Sequence, residues 1–149
     1  LASAKPSRLT ERQHHATRST LWNGSRPGAP FAAACLTLLA RSQRPVWPWK
    51  DAPGMLVETF PAAQLKAWGL PHASYADDEG RPIRAKIITH LEDKQHLMIA
   101  PDDRRDMLRS ADALDAVLAA FGAKAAANRR LKFEKPENWK TEGAIAIHA

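Results

Sequence analysis

The sequence predicts an α/β layer fold, on three observations. Strand and helix patterns alternate along it, the apolar run 55–60 stopped by Pro61 reads as a strand, and 111–127 reads as a long buried helix. The chain has 149 residues, 44% hydrophobic and 26% charged, which is the size and composition of one ordinary domain.

The elements follow in order. Residues 1–30 are polar and basic with no sustained apolar period. They end in loop chemistry, Gly24-Ser25-Arg26-Pro27-Gly28-Ala29-Pro30, and read as a flexible basic arm or loop, with 31–149 as the folded domain. Residues 31–42 read as a helix, because Phe31, Ala34, Cys35, Leu38 and Leu39 fall at helical spacing; Cys35 on that apolar stripe reads as core. The segment Arg44-Pro45-Val46-Trp47-Pro48-Trp49 cannot continue a helix. Its Trp47 and Trp49 either stack on bases beside Arg44 and Lys50 or pack their indoles on a sheet. Pro61 suits the first turn of a helix over 62–68, closed by Gly69. After the acidic loop Asp77-Asp78-Glu79-Gly80, residues 82–98 read as a helix with Ile83, Ile87, Leu91 and Leu97 on one side. Residues 102–109 form a charged turn or short helix, 111–127 the clearest helix, and 144–147 a final strand.

Composition narrows the function classes. A single cysteine, Cys35, excludes an internal disulfide framework and a cysteine-based zinc site, so a cytoplasmic location is the default. The longest apolar run, 31–40, is about half of what a membrane span needs. The chain starts at Leu1 rather than Met, which predicts a fragment, a processed product or a partial gene. Its net charge of +6 is an N-terminal property: residues 1–50 carry eight basic residues against one acid, Glu11. A nucleic acid backbone, an anionic membrane surface or another polyanion would be attracted to such a segment, and so would none of them if it is a solvated tail. His14-His15 are adjacent and His90 and His96 six apart, poor spacings for a shared metal. No Gly-rich phosphate loop and no serine nucleophile elbow is present.

Two places carry acids where the pattern is apolar. In Ala111-Asp112-Ala113-Leu114-Asp115-Ala116-Val117 the aspartates stand three apart, on one helix face that continues through Ala119 and Gly122. Ser110 as N-cap and the helix dipole explain Asp112 without any function; they do not explain Asp115, one turn further in. Like charges held away from water need a cation or a proton. Glu58, in Met55-Leu56-Val57-Glu58-Thr59-Phe60, shares a strand face with Leu56 and Phe60. It sits either near the ligand-binding end of a covered strand or on an edge strand facing water. Carboxylates meeting from these two places would suit a hard cation such as Mg²⁺ or Mn²⁺.

Val57-Glu58-Thr59-Phe60-Pro61-Ala62-Ala63 with Gly69-Leu70, then Asp112-Ala113-Leu114-Asp115-Ala116, then Glu142-Gly143-Ala144-Ile145, together with Arg8-Leu9-Thr10-Glu11-Arg12, resemble in order and spacing the predicted ribonuclease-H-fold nucleases catalogued as domain of unknown function 429. The strand glutamate and paired-aspartate helix are also similar to Holliday-junction resolvases of that superfamily. The resemblance implies a ribonuclease-H-like fold with few strands and several helices. It places Glu58, Asp112 and Asp115 at metal-ligand and catalytic positions. The family's first Gly-x-Asp strand and the two strands after it have no counterpart here, Tyr75 is followed by Ala76 rather than Lys, and Ala144 stands where a Trp is common. The expectation is therefore an N-terminally truncated domain, the C-terminal two thirds.

The function so implied is metal-dependent phosphodiester hydrolysis with Mg²⁺ or Mn²⁺, on DNA or RNA, with Arg8, Arg12 and Arg18 holding the nucleic acid backbone. The truncated chain is expected to be inactive or weakly active, and to self-associate or await its missing segment along an unpaired strand edge. The alternative is a non-catalytic nucleic-acid-binding or protein-interaction module whose acids are structural.

Overall fold

The proline and alanine placement that marks helices in the sequence does its work locally, and five of the expected helical stretches are helices. The computed structural model describes residues 8–14 and 29–149. Among these, the α-helices are α1 (Leu9–His14), α2 (Ala29–Ser42), α3 (Pro61–Ala67), α4 (Arg81–Asp93), α5 (Pro101–Arg109), α6 (Ala111–Ala127) and α7 (Trp139–Glu142). Prolines stand in the first turn of α3, α4 and α5, where a missing N–H is no loss and a fixed φ already matches the helix. α6 is rich in alanine, the best helix former. α4 stops earlier than its apolar period suggests. His96 takes a positive φ of 52°, and the chain runs extended into Pro101, before which a helical conformation is disfavoured.

The chain divides into two units, Leu1–Glu58 with Phe133–Ile145, and Thr59–Lys132 with Ala146–Ala149. In the second unit, α5 packs on α4 and α6, and α3 packs on α6. Their buried faces form one core of Leu65, Tyr75, Ile87, Ile88, Leu91, Met107, Leu114, Leu118 and Phe121. α6 is thus one-sided rather than enclosed all round: Leu114, Leu118, Phe121 and Ala125 are buried, while Asp112, Ala116, Ala120 and Lys124 are exposed. Gly122 lets the backbone of Ala146 approach; a Cβ there would lie 2.8 Å from the Ala146 carbonyl oxygen.

In the first unit, α1 packs on α7, and Trp47 is buried at 4% exposure. α2 keeps Leu36 and Leu38 in solvent, and Cys35 is exposed, which corrects its reading as a core residue.

The α/β reading is overturned. Among the described residues there is no sheet, and β pairing is limited to isolated bridges, Val46 with Leu56 and Thr59 with Ala146 in parallel, and Leu131 with His148 antiparallel. The structure is mainly helical, and the ribonuclease-H-like architecture implied by resemblance does not describe it. The physical reason lies in what surrounds the 55–60 run. Its neighbour over 45–49 makes only two backbone bonds, Trp47 N–H to the Leu56 carbonyl (2.9 Å) and Leu56 N–H to the Pro45 carbonyl (2.8 Å). Pro45 and Pro48 lack the donors that would extend the ladder, and Pro61 turns the run into α3. The 144–147 segment likewise contributes one bridge, at Ala146, rather than a strand. Among the described residues, no helix is long and apolar enough to cross a membrane.

This packing makes a contrast that is measurable. Leu118→Ala, at 1% exposure in the second unit's core, is expected to destabilise the chain by about 2–5 kcal/mol through lost burial and a residual cavity. Leu38→Ala, at 69% exposure, should stay within about 0.5 kcal/mol of the wild type in the same urea titration.

Candidate functional site

The sequence-derived carboxylates fall in both units, Glu58 in the first and Asp112 and Asp115 in the second. Among the described residues, no group of three or more His, Cys, Asp and Glu side chains is arranged to hold a metal ion.

In the first unit the organising residue is Arg8, which sits at the N-cap position of α1. Glu11, three residues on, reaches back so that its Oε2 accepts the Arg8 backbone N–H (2.9 Å), half of a capping box. The next orphan donor, Leu9 N–H, is met by Glu142 Oε2 of α7 (2.7 Å). Thr10 Oγ1 accepts the backbone N–H of Ile145 (3.0 Å). The Arg8 guanidinium is almost fully buried and distributes its donors among three partners. Nε donates to Glu11 Oε1 (3.0 Å), Nη1 to Glu58 Oε2 (2.8 Å) and to the Glu142 carbonyl (3.3 Å), and Nη2 to Glu58 Oε1 (2.5 Å). This is the planar, two-pronged pairing that arginine makes with carboxylate. The bond to Glu58 pushes the Arg8 pKa further up, against the opposing effect of burial. Arg8 is therefore an internal cation, whereas Arg12 on α1 is exposed and Arg18 lies outside the described residues. His14, at the end of α1, packs its ring 5.0 Å from that of Phe133, and burial lowers its pKa. His15 lies outside the described residues.

Glu58 keeps 40% of its side chain exposed. Its carboxylate is held in a fixed plane by a guanidinium that it shares with Glu11.

In the second unit, Asp112 is exposed in the first turn of α6 and Asp115 is partly buried one turn further on. Ser110 stands at the N-cap position, but its side chain makes no capping bond. Asp115 Oδ1 accepts the phenol O–H of Tyr75 (2.8 Å), whose ring belongs to the core. Burial raises the Asp115 pKa above the ordinary carboxylate range, the Tyr75 bond opposes this, and the like charge of Asp112 adds to it. Burial is also the main cause of the raised Tyr75 pKa, with the Asp115 contact second. Tyr75 is held in turn by Arg84, buried at 4% exposure, whose Nη1 donates to the carbonyls of Tyr75 (2.5 Å) and Asp77 (3.2 Å) and whose Nε donates to that of Leu108 (3.1 Å).

Sequence reasoning did not single out Arg84. A signal was there: Arg84 stands at helical spacing with Ile87, Ile88 and Leu91, so an arginine on that apolar stripe had to be buried and paired. His90 and His96 do not act together; the His90 ring lies 5.6 Å from that of Trp68, and His96 is exposed.

The raised Asp115 pKa fixes the sign of a pH effect. A carboxyl that holds its proton more tightly in the folded state adds stability at low pH. That contribution is lost as pH rises from the ordinary value of 3.8 through the folded pKa. Asp115→Asn keeps an acceptor for Tyr75 and removes the charge. Its urea midpoint is expected to exceed the wild type's at pH 7, with the gain shrinking towards pH 3.5. A wild-type advantage at pH 7 that vanishes in acid would show the opposite linkage.

Of the segments that carry the resemblance, Arg8-Leu9-Thr10-Glu11, Glu58 and Glu142-Gly143-Ala144-Ile145 are thus joined by hydrogen bonds within one unit. No curated protein matches the chain, and no solved structure does. A family model matches residues 3–137, nearly the whole length. The chain belongs to the family described as protein of unknown function DUF429.

Proposed function

We propose that this chain acts in divalent-metal-dependent hydrolysis of nucleic acid phosphodiesters, with Asp112 and Asp115 as the carboxylates that would hold the ion. The observation that carries the reading is Asp115 itself: a partly buried acid beside a second acid, its pKa raised by burial and by that neighbour. A cation relieves both penalties at once. The donor set fits Mg²⁺ or Mn²⁺, since Mg²⁺ is commonly bound by one or two carboxylates completed by water and substrate phosphate. When bound, such an ion supplies an activated water and charge stabilisation at the leaving oxygen.

The chain's own residues have separate tasks. Tyr75 occupies Asp115 Oδ1 and orients the carboxylate, and Arg84 fixes the backbone around Tyr75. Glu58, the third position named by resemblance, is a carboxylate with both oxygens bound by Arg8, so its contribution is tested on its own. Contact with the nucleic acid backbone is proposed for Arg12 and Arg18; Arg8 is committed to Glu11 and Glu58. That commitment is also what favours the second reading, a non-catalytic binding module in which Glu58 is structural.

Melting with and without millimolar Mn²⁺, alongside cleavage of a fluorescent oligonucleotide, tests the proposal. Ion binding to the folded chain alone should raise Tm by mass action. The rise should be absent in Asp112→Asn/Asp115→Asn, and Asp115→Asn should lose metal-dependent cleavage. No shift in the wild type, or the same shift in the double variant, contradicts the ion site. Cleavage absent while binding persists selects the module reading, and Glu58→Gln with unchanged cleavage assigns Glu58 to structure.

A further inference from the structure

We infer that Trp49, with Lys135 and Lys140, forms a stacking platform for single-stranded nucleic acid on the first unit. The inference rests on the nucleic-acid reading above but not on cleavage or on a metal.

A tryptophan half in water is uncommon, and Trp49 is 52% exposed while Trp47, two residues before it, is 4% exposed. The exposed ring is fixed rather than loose. Its Nε1–H donates to the Lys140 carbonyl (2.7 Å), which satisfies the one polar atom of the indole. Its six-membered edge lies over Gly143, where φ is +78° and a Cβ would stand 2.8 Å from Trp49 Cη2. Glycine at 143 thus serves both the turn after α7 and the seating of the ring. An immobilised aromatic face loses little side-chain entropy when a base stacks on it.

The cations stand among the rings of the same unit. Lys135 Nζ lies 4.7 Å from the Trp139 ring centroid and 5.5 Å from that of Trp47, and Lys140 Nζ lies 6.0 Å from that of Trp139. Both lysines are exposed, as are Lys50 and Arg44. Among the nearby acids, Glu142 is occupied with Leu9 N–H, and Asp51 has a contact of its own. Glu134 and Glu137 offset part of the positive charge, so stacking, more than phosphate contact, should supply the affinity. The two ammonium groups sit over Trp139 and the buried Trp47 rather than over Trp49. The exposed Trp49 ring thus supplies the stacking face and the lysines supply charge in the same unit, the two ingredients of sequence-tolerant single-strand sites.

The test is fluorescence anisotropy of a short thymine oligonucleotide, as DNA and as RNA, on the 149-residue chain carrying Asp112→Asn/Asp115→Asn, in chelator and at low salt. Failure of the cleavage reading leaves this measurement untouched. Trp49→Ala is expected to weaken binding about tenfold, and Trp49→Phe, which keeps a ring, to weaken it by less than about threefold. An abasic oligonucleotide of the same length should bind the unsubstituted ring about as weakly as the thymine oligonucleotide binds Trp49→Ala. Lys135→Gln/Lys140→Gln should flatten the salt dependence by a slope of about 1.4, as for two phosphates of a single strand. Equal binding of abasic and thymine oligonucleotides overturns the proposal, and that comparison needs no substitution at Trp49. Affinity within twofold of the parent in a Trp49→Ala chain that retains its circular dichroism also overturns it.

Discussion

A buried guanidinium has to be paired on several sides at once, and in this chain that requirement falls on Arg8. A charge removed from water is costly unless its donors are all but used, and Arg8 uses them on Glu11, on both oxygens of Glu58 and on the carbonyl of Glu142. The partners lie 3, 50 and 134 residues away, so one side chain ties the first described helix to the 55–60 run and to α7. Neighbouring contacts repeat the tie: Glu142 caps Leu9, and Thr10 accepts from Ile145. Six helical residues would not persist alone in water, and α1 exists because these bonds hold it.

The second unit solves the same problem with a different residue. Arg84 is buried without a carboxylate and spends its donors on backbone carbonyls of Tyr75, Asp77 and Leu108. Those bonds satisfy a loop that has no regular structure of its own and place the Tyr75 hydroxyl on Asp115. The raised pKa of Asp115 is therefore a consequence of core packing around Tyr75 rather than of the aspartate pair alone, with burial its largest cause and Asp112 a smaller one. The energetic tension at this helix face comes first from burial and second from the like charge of Asp112, and the Tyr75 bond relieves part of it.

What could be read from sequence was what local chemistry decides. Apolar spacing, small and apolar composition and the proline at 61 mark the helices over 31–42, 62–68 and 111–127 to within two residues. The 82–98 reading overruns α4, which ends at Asp93, and 102–109, a charged turn or short helix by sequence, is the helix α5. What could not be read was pairing between distant segments. Residues 55–60 have the composition of a covered strand, yet a strand needs a continuous neighbour, and prolines on the adjacent segment leave only bridges. Arg8 looked like part of a solvated arm because nothing within ten residues shows that Glu58 and Glu142 close over it. The Arg8-to-Glu11 spacing was a faint capping signal in hindsight. Cys35 fails differently: its stripe is apolar and helical, but α2 leaves that face in solvent. Trp47 and Trp49 carried two readings, packing and stacking; burial bears out packing for Trp47 and leaves the Trp49 ring half exposed.

The central claim is that the Arg8 fork holds Glu58 and is itself held by it. A double-mutant cycle with Arg8→Met and Glu58→Gln, read as urea midpoints at pH 7, tests this most directly. Hydrogen bonds to charged groups contribute about 1.5–3 kcal/mol each, less where one partner is partly exposed, as Glu58 is. The account predicts a coupling energy of at least about 1.5 kcal/mol between the two sites. Effects that add to within about 0.5 kcal/mol would contradict it, because they would mean that Arg8 and Glu58 stabilise the chain independently.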